Sequence, residues 1–478
     1  MTVTTTAAAG LDHGPGALKR GISRNMLLFF VIGDVLGAGI YALVGAVGGE
    51  VGGAIWTAFA IALALAVFTA FAYAELVTKY PEAAGAALYV NKAFRIPFVS
   101  FMVAFAVMAS GITSASTLSR AFGGDYLQAF VSVSTVVAAL VFIALVAVVN
   151  FRGISESVKV NVTLTVIELG GLVLISIIAL GALLDGEGDP GRAFDFKQGE
   201  SVVGAMVGGA ALAFYALIGF EDSVNMAEEA QDPGRSYPRA LFGGLAVAGV
   251  VYIAVAMLAS MAVPTGTLAG SDGPLLEVAR LGPLAVDDKV FSAIALFALA
   301  NGALINMIMA SRLLYGMSNQ GILPTALGRV HGTRRTPWIA ILFTTGLAMV
   351  LIATGDLSEL ADMTVFLLLG VFCFVNACVL ILRRDHVAHE HFHAPSAIPV
   401  IGILVSLWLM VFETEGEVVL RALALLGFGV LLFALNHLLT GPRGPLDTAQ
   451  MAAIEHPEVQ PADAPVHRER RAPGHPPS

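Results

Sequence analysis

Charge is what this sequence has least of. Only 13% of its 478 residues are Asp, Glu, Lys or Arg, against 57% hydrophobic, and its mean hydropathy is +0.82. A soluble domain carries about 25% charged residues and under half apolar ones. So apolar a chain cannot clothe itself in a water-compatible surface, and its solvent is expected to be lipid. Cysteine is also nearly absent: Cys373 and Cys378 lie together in one apolar stretch. That spacing excludes an external disulfide framework and a thiolate metal site, and both read as small packed residues. The N-terminus shows no cleavable leader pattern. The first apolar run, from Met26, is too long for a signal core and reads as a spanning helix.

What is abundant is glycine, 51 residues, which membrane helices tolerate and use for close approach. A span needs about 20 apolar residues. The sequence predicts twelve, near 26–49, 53–77, 98–119, 126–150, 158–184, 201–226, 238–262, 287–318, 337–355, 360–382, 396–412 and 418–440. The third is expected to begin earlier, inside 85–97, and the eleventh is short. The fold class is thus an all-α integral membrane protein of about twelve helices. Residues 1–17, rich in Thr, Ala and Gly, and 441–478, rich in Pro, His, Arg and Glu, are expected to be disordered tails around a transmembrane domain at 18–440.

Loop charge checks the span count. Lys19, Arg20 and Arg24 precede the first span; Lys79, Lys92 and Arg95 follow the second; Arg152 and Lys159 the fourth; Arg235 and Arg239 the sixth; Arg329, Arg334 and Arg335 the eighth; Arg383 and Arg384 the tenth. Several intervening loops are acidic: Asp185, Glu187 and Asp189; Asp287 and Asp288; Asp356, Glu359 and Asp362; Glu413, Glu415 and Glu417. A wrong count would break the phase. Positive charge marks the cytoplasmic side, so both termini are expected inside, at the cytoplasmic membrane.

Two spans carry features that a plain membrane helix avoids. Span one reads VIGDVLGAGIYALVG (31–45), with Gly33, Gly37 and Gly39 beside Asp34. Span six reads FYALIGFEDSVNMAEE (214–229), with Gly219 followed by Glu221 and Asp222. Glycine inside a helix costs about 1 kcal/mol relative to Ala, and an acid at the bilayer centre about 2.5–3.5 kcal/mol. Gly33–Gly37 also matches a helix-packing motif, the bland explanation. However, spans one and six hold corresponding places in two sets of five. Paired interruptions of that kind point to a midplane binding site, where unwound backbone faces a solute. Half-helix N-termini favour a carboxylate, and freed carbonyls a cation.

At these residues the chain resembles the amino acid–polyamine–organocation superfamily of permeases, over roughly 18–440. GDVLGAGIY (33–41), ELVTKYPEAAGAALYV (75–90), FYALIGFEDSVNMAEEAQDPGRSYPRA (214–240) and ANGALINMIMASRLLYGMSNQGILP (300–324) follow the superfamily's motifs in order. The resemblance implies two inverted five-helix repeats (about 26–184 and 201–382), two further helices (about 396–440), and alternating access. It implies a substrate carboxylate on the backbone near Gly37, Ala38, Gly39 and Ile40. The amino group would face carbonyls near Ala216, Leu217 and Gly219, with Tyr215 closing the site.

Two departures stand out. In NFRGISESVKVNVTLTVIEL (150–169) Glu168 replaces a lysine found in some proton-coupled members, and Asn301 aligns beside it where relatives often have a small hydroxyl residue. With the Gly33 backbone these groups can hold a hard cation, or the carboxyl can hold a proton. Asp34 stands where the superfamily usually has an apolar residue. It either faces the same cavity or pairs elsewhere, and Glu221 either shapes the break or carries a proton. His386, His389, His391 and His393 suggest a metal cluster at first sight, but sit where relatives have a basic loop; no metal site, cofactor or nucleic-acid partner is expected. The reading is a transporter, not an enzyme, of an amino acid, coupled to protons or working by exchange. Polyamine or organic-cation substrates, sodium coupling, a nutrient sensor and a cation channel are the alternatives. Substrate, coupling ion, direction and oligomeric state stay open.

Overall fold

The computed structural model describes residues 23–440 apart from 82–84, 153–157, 200, 227–229, 333 and 335; the side chains of 158–162, 225, 226 and 440 are also outside the description. The two expected disordered tails lie outside it. The first half of the chain forms α1 (Arg24–Val35), α2 (Gly39–Val51), α3 (Ile55–Lys79), α4 (Ala86–Phe94), α5 (Pro97–Phe122), α6 (Asp125–Gln128), α7 (Thr135–Arg152) and α8 (Val158–Leu184). The second half forms α9 (Val202–Leu217), α10 (Pro233–Ala262), α11 (Thr265–Ala269), α12 (Pro274–Ala279), α13 (Asp288–Asn319), α14 (Trp338–Thr354), α15 (Leu357–Leu382), α16 (Ala397–Phe412) and α17 (Gly416–Thr440).

Among the described residues nine helical segments are long and apolar enough to cross a bilayer, and the bent pair α1–α2 makes a tenth. The apolar helices α14 and α16, of 17 and 16 residues, complete the predicted twelve. At 1.5 Å per residue those two reach about 24–26 Å, just short of the hydrocarbon thickness. α3 lies along α9 and α10, α1 along α10, and α5 along α13 and α15. These make the interior, where Tyr41, Tyr73, Tyr237 and Tyr252 are fully or almost fully buried. α16 and α17 lie outside it. Leu404, Val411 and Leu431 are more than half exposed there, as lipid-facing side chains should be.

Several boundaries differ from the sequence reading, among them the start of the seventh span, which is Pro233 and not 238. The fourth span starts at Thr135, not 126, because only α6 is helical in that stretch. The run Val131-Ser132-Val133-Ser134 is apolar on average, but β-branched and hydroxyl residues do not propagate a helix. α5 starts at Pro97, the end of the interval expected for it, and most of the remainder forms the separate helix α4. Arg95 closes α4 in the left-handed region at φ 55°, and Ile96, preceding a proline, is held extended.

The first and sixth spans are both interrupted. α1 ends at Val35 and α2 resumes at Gly39, bent by 45°. α9 ends at Leu217, Ile218 is extended, and Gly219 takes φ +123° before a short 3-10 turn over Asp222–Met226. The two breaks touch. A Cβ on Gly219 would lie 2.6 Å from the Asp34 carbonyl oxygen, and one on Gly39 would lie 2.6 Å from the Ala216 Cα. Glycine at 219 thus meets a dihedral and a proximity requirement together.

Candidate functional site

Breaking a helix leaves backbone groups that must find partners. On the α1 side, the Tyr252 hydroxyl of α10 donates to the Val35 carbonyl at 2.7 Å and reaches the Gly37 carbonyl at 3.4 Å. On the α9 side, Gly219 N–H donates to a carboxylate oxygen of Glu221 at 3.0 Å. Glu221 therefore holds the break in shape. α2 begins at Ala38 and Gly39 with no side-chain cap, so its first N–H groups and its positive dipole end point toward the interruption.

The space between the breaks is a cavity of about 80 Å³. It is well below the ~300–1,000 Å³ of ordinary ligand pockets. Gly33, Asp34, Gly37, Ala38 and Gly39 line it from the first span, and Tyr215, Ala216, Ile218, Gly219 and Asp222 from the sixth. Glu168 on α8, Ser114 and Leu118 on α5, and Asn301, Gly302, Ile305 and Asn306 on α13 complete the wall. Three carboxyl side chains are in that lining, and Lys, Arg and His are absent from it among the described residues.

Glu168 is 1% exposed. Asn301 Nδ2 donates to Glu168 Oε1 at 3.3 Å, and the Tyr41 hydroxyl of α2 donates to the Glu168 backbone carbonyl at 2.7 Å. The latter bond fastens α8 to α2, the half-helix that carries Gly39. Tyr215 spans the cavity from α9 to α5: its hydroxyl is 3.0 Å from Ser114 Oγ and 3.2 Å from the Ser114 carbonyl oxygen. The aromatic ring is thus fixed at both ends, by its own helix and by Ser114.

The structure brings Gly33, Asp34, Gly37, Ala38, Gly39, Glu168, Tyr215, Ala216, Gly219 and Asn301 to one cavity, so Asp34 and Glu168 share it. Ile40, Leu217 and Glu221 are not in its lining. Ile40 and Leu217 are fully buried in packing, and Glu221 bonds the backbone instead. Ser114, Leu118, Ile305 and Asn306 were not singled out from sequence. Ser114 belongs to a hydroxyl-rich run in α5 (Ser110, Thr113, Ser114, Ser116, Thr117). That run was a usable signal, although most of those hydroxyls bond helix carbonyls one turn back.

The histidines lie elsewhere. Past the end of α15 the chain runs against the end of α3, where His389 Nε2 is 3.1 Å from the Thr78 carbonyl oxygen and the rings of His391 and His393 lie 4.1 Å apart.

Against known families, the profile of the amino acid permease family matches residues 22–436. A branched-chain amino acid permease of Bacillus subtilis is 24% identical over 447 residues, covering 88% of this chain and 94% of the relative. A methylthioribose transporter of the same organism shows the same identity and coverage. A vacuolar cationic amino acid transporter of Arabidopsis thaliana is 26% identical over 393 residues, 78% of this chain and 64% of that protein.

Proposed function

The chain belongs to the amino acid permease family, and from that premise we propose that it is a secondary transporter carrying an amino acid across the cytoplasmic membrane by alternating access. One observation supports this above the rest: the interruptions of spans one and six meet face to face around one cavity. The uncapped start of α2 offers N–H groups to a carboxylate, and the end of α9 offers carbonyls to an amine. Tyr215, anchored on Ser114, closes over the bound solute. Lys and Arg recur in every second loop, starting with the segment before the first span, a pattern that supports a cytoplasmic position for those loops and for both termini.

Coupling is assigned to Glu168. It is enclosed, its carboxylate accepts from Asn301 of α13, and its backbone carbonyl is held by Tyr41 of the broken span, so the ionisable group sits between helices of both halves. Proton coupling or exchange is the leading reading, and a bound monovalent cation the alternative. For the substrate, a second reading has its own support. Asp34, Glu168 and Asp222 line the cavity without a basic residue among its described lining, an arrangement that suits a solute with more positive than negative charge, such as a cationic amino acid or a polyamine.

The test is competition uptake into proteoliposomes, with neutral amino acids, cationic amino acids and polyamines as competitors, under a pH gradient, a sodium gradient or neither. Saturable uptake inhibited by an amino acid and driven by the pH gradient is expected. Inhibition by polyamines alone would favour the second reading. Non-saturating flux would point to a channel, and binding without flux to a sensor.

A further inference from the structure

A second cavity, of about 390 Å³, lies farther along two of the helices that line the central one. On α2, Gly39 faces the central cavity, while Ala42 and Ala46 line the second. The spacing i, i+3, i+7 puts all three on one face of the helix, with the alanines about 4.5 and 10 Å beyond Gly39. On α5, Ser114 and Leu118 line the central cavity and Ala121 the second. Their spacing, i, i+4, i+7, again marks one face. The two spaces are therefore stacked along shared helix faces, the second on the side away from the start of α1.

This second space holds charges of both signs. Arg120 enters from the last turn of α5, and Asp272 from the connection between α11 and α12. A basic residue in a last helical turn has a local reason, the helix dipole. That reason does not supply the guanidinium with a partner. Among the described residues, the Arg120 side chain makes no hydrogen bond or ion pair although it is partly buried, and neither does the Asp272 carboxylate. The neighbouring acids are engaged. Asp356 accepts from the Glu359 N–H at 2.8 Å and caps α15. Asp125 accepts from the Ser271 hydroxyl at 2.9 Å. Burial, and then Asp125, push the Asp272 carboxyl above its ordinary pKa, and Arg120 opposes them. An ammonium beside Asp272 would relieve the repulsion from Asp125, and the planar fork of Arg120 matches a carboxylate in pairs.

We propose that this cavity is an outer docking site for the zwitterionic head of an amino acid, its carboxylate on Arg120 and its ammonium on Asp272. The solute is held there before it passes along the shared faces of α2 and α5 to the central cavity. The proposal rests on the transport reading for the identity of the solute. A polyamine, which has no carboxylate, would leave Arg120 unused.

Protection of an introduced thiol tests this on the purified full chain in detergent. Ser358→Cys, in the wall of the second cavity, is made in a Cys373→Ala/Cys378→Ala background and labelled with a water-soluble maleimide. The probes are L-leucine, L-lysine and cadaverine. L-leucine or L-lysine should slow labelling saturably, and cadaverine should do so far less well than L-lysine. Arg120→Gln should raise the half-protecting concentration roughly tenfold, through loss of one charge-assisted contact, and Asp272→Asn should act in the same direction. Arg280→Gln should leave it unchanged: Arg280 lies in the same connection between α10 and α13 but pairs with Glu277 and Asp288. Gly37→Ala, which crowds only the central cavity, should also leave it unchanged. Protection that weakens in Gly37→Ala and ignores Arg120→Gln would overturn the site, because it would then originate in the central cavity. An equal shift in Arg280→Gln, or no protection by either amino acid, would overturn it too. Equal protection by cadaverine and L-lysine would overturn the zwitterion as occupant. Saturable uptake without protection would remove the outer site and leave the transport reading standing. Arg120-dependent protection in a protein without uptake would do the reverse.

Discussion

Gly37 and Gly39 are two residues apart in one motif, and their surroundings differ. A Cβ on Gly39 would run into the backbone of Ala216, so a side chain there pushes α2 off α9. A Cβ on Gly37 would meet only the Asp34 carbonyl oxygen, at an ordinary 3.5 Å, with the cavity beside it. The informative substitution is therefore Gly37→Ala. The protein should insert and melt like the parent, while the added methyl occupies the space where a substrate carboxylate would approach the start of α2. Crowding by one methyl in a close-fitting space costs about 1–3 kcal/mol, which would appear as a rise in the apparent Km with little change in stability. Unchanged uptake kinetics in a folded Gly37→Ala protein would remove the first span from the substrate site. Gly39→Leu, by contrast, should lose transport through mispacking and report nothing about binding.

At the scale of elements, the spans were legible because apolar length and loop charge are local, additive signals. The two interruptions were legible because glycine and an acid both conflict with a lipid-spanning helix. The residues that complete the cavity from α5 and α13 were not: Ser114 and Asn306 look like ordinary small polar residues of a membrane helix until packing brings both into the cavity wall and sets Ser114 on the Tyr215 hydroxyl. The same holds for the segment after α15, which reads as a histidine-rich loop and folds as a strap across the end of α3. Arg383 donates to both carboxylate oxygens of the buried Glu75 at 2.7 and 2.8 Å. Ala394 N–H donates to Glu75 at 2.8 Å, and Phe392 packs on Phe71 and Phe242. The Glu75 hydrogen bonds hold the Arg383 guanidinium above its ordinary pKa, so Arg383 stays charged through any working pH. Removing one partner leaves the other charge unpaired. Arg383 is about a quarter exposed, which softens the penalty for a fully buried pair, leaving about 2–3 kcal/mol. Arg383→Gln should lower the melting temperature in detergent by several degrees, and Arg383→Lys should recover only part because it cannot make the two-pronged contact. A parent-like melting curve for Arg383→Gln would show that the strap contributes nothing to stability.

For the whole molecule, transport against a gradient requires that the coupling group change state only together with the solute. Glu168 is placed for this. Its carboxylate and Asp34 face one cavity, its backbone is tied to α2, and its hydrogen-bond partner Asn301 sits on α13, so helices of both halves meet around one ionisable group. Glu168→Gln is a clean probe of that role, because a glutamine side-chain oxygen can accept the same bond from Asn301 Nδ2 and the packing is undisturbed. If Glu168 carries the proton, the amide mimics the protonated carboxyl permanently. Exchange of internal for external solute should then continue at a rate near the parent's, uptake driven by a pH gradient should vanish, and sodium should have no effect on either. If Glu168 instead helps to bind a cation, parent binding should depend on sodium or potassium and the variant should lose that dependence. Gradient-driven accumulation by Glu168→Gln equal to the parent's would refute both versions, leaving Glu168 as a structural acid satisfied by Asn301 and moving the search for the coupling group to Asp34 and Asp222.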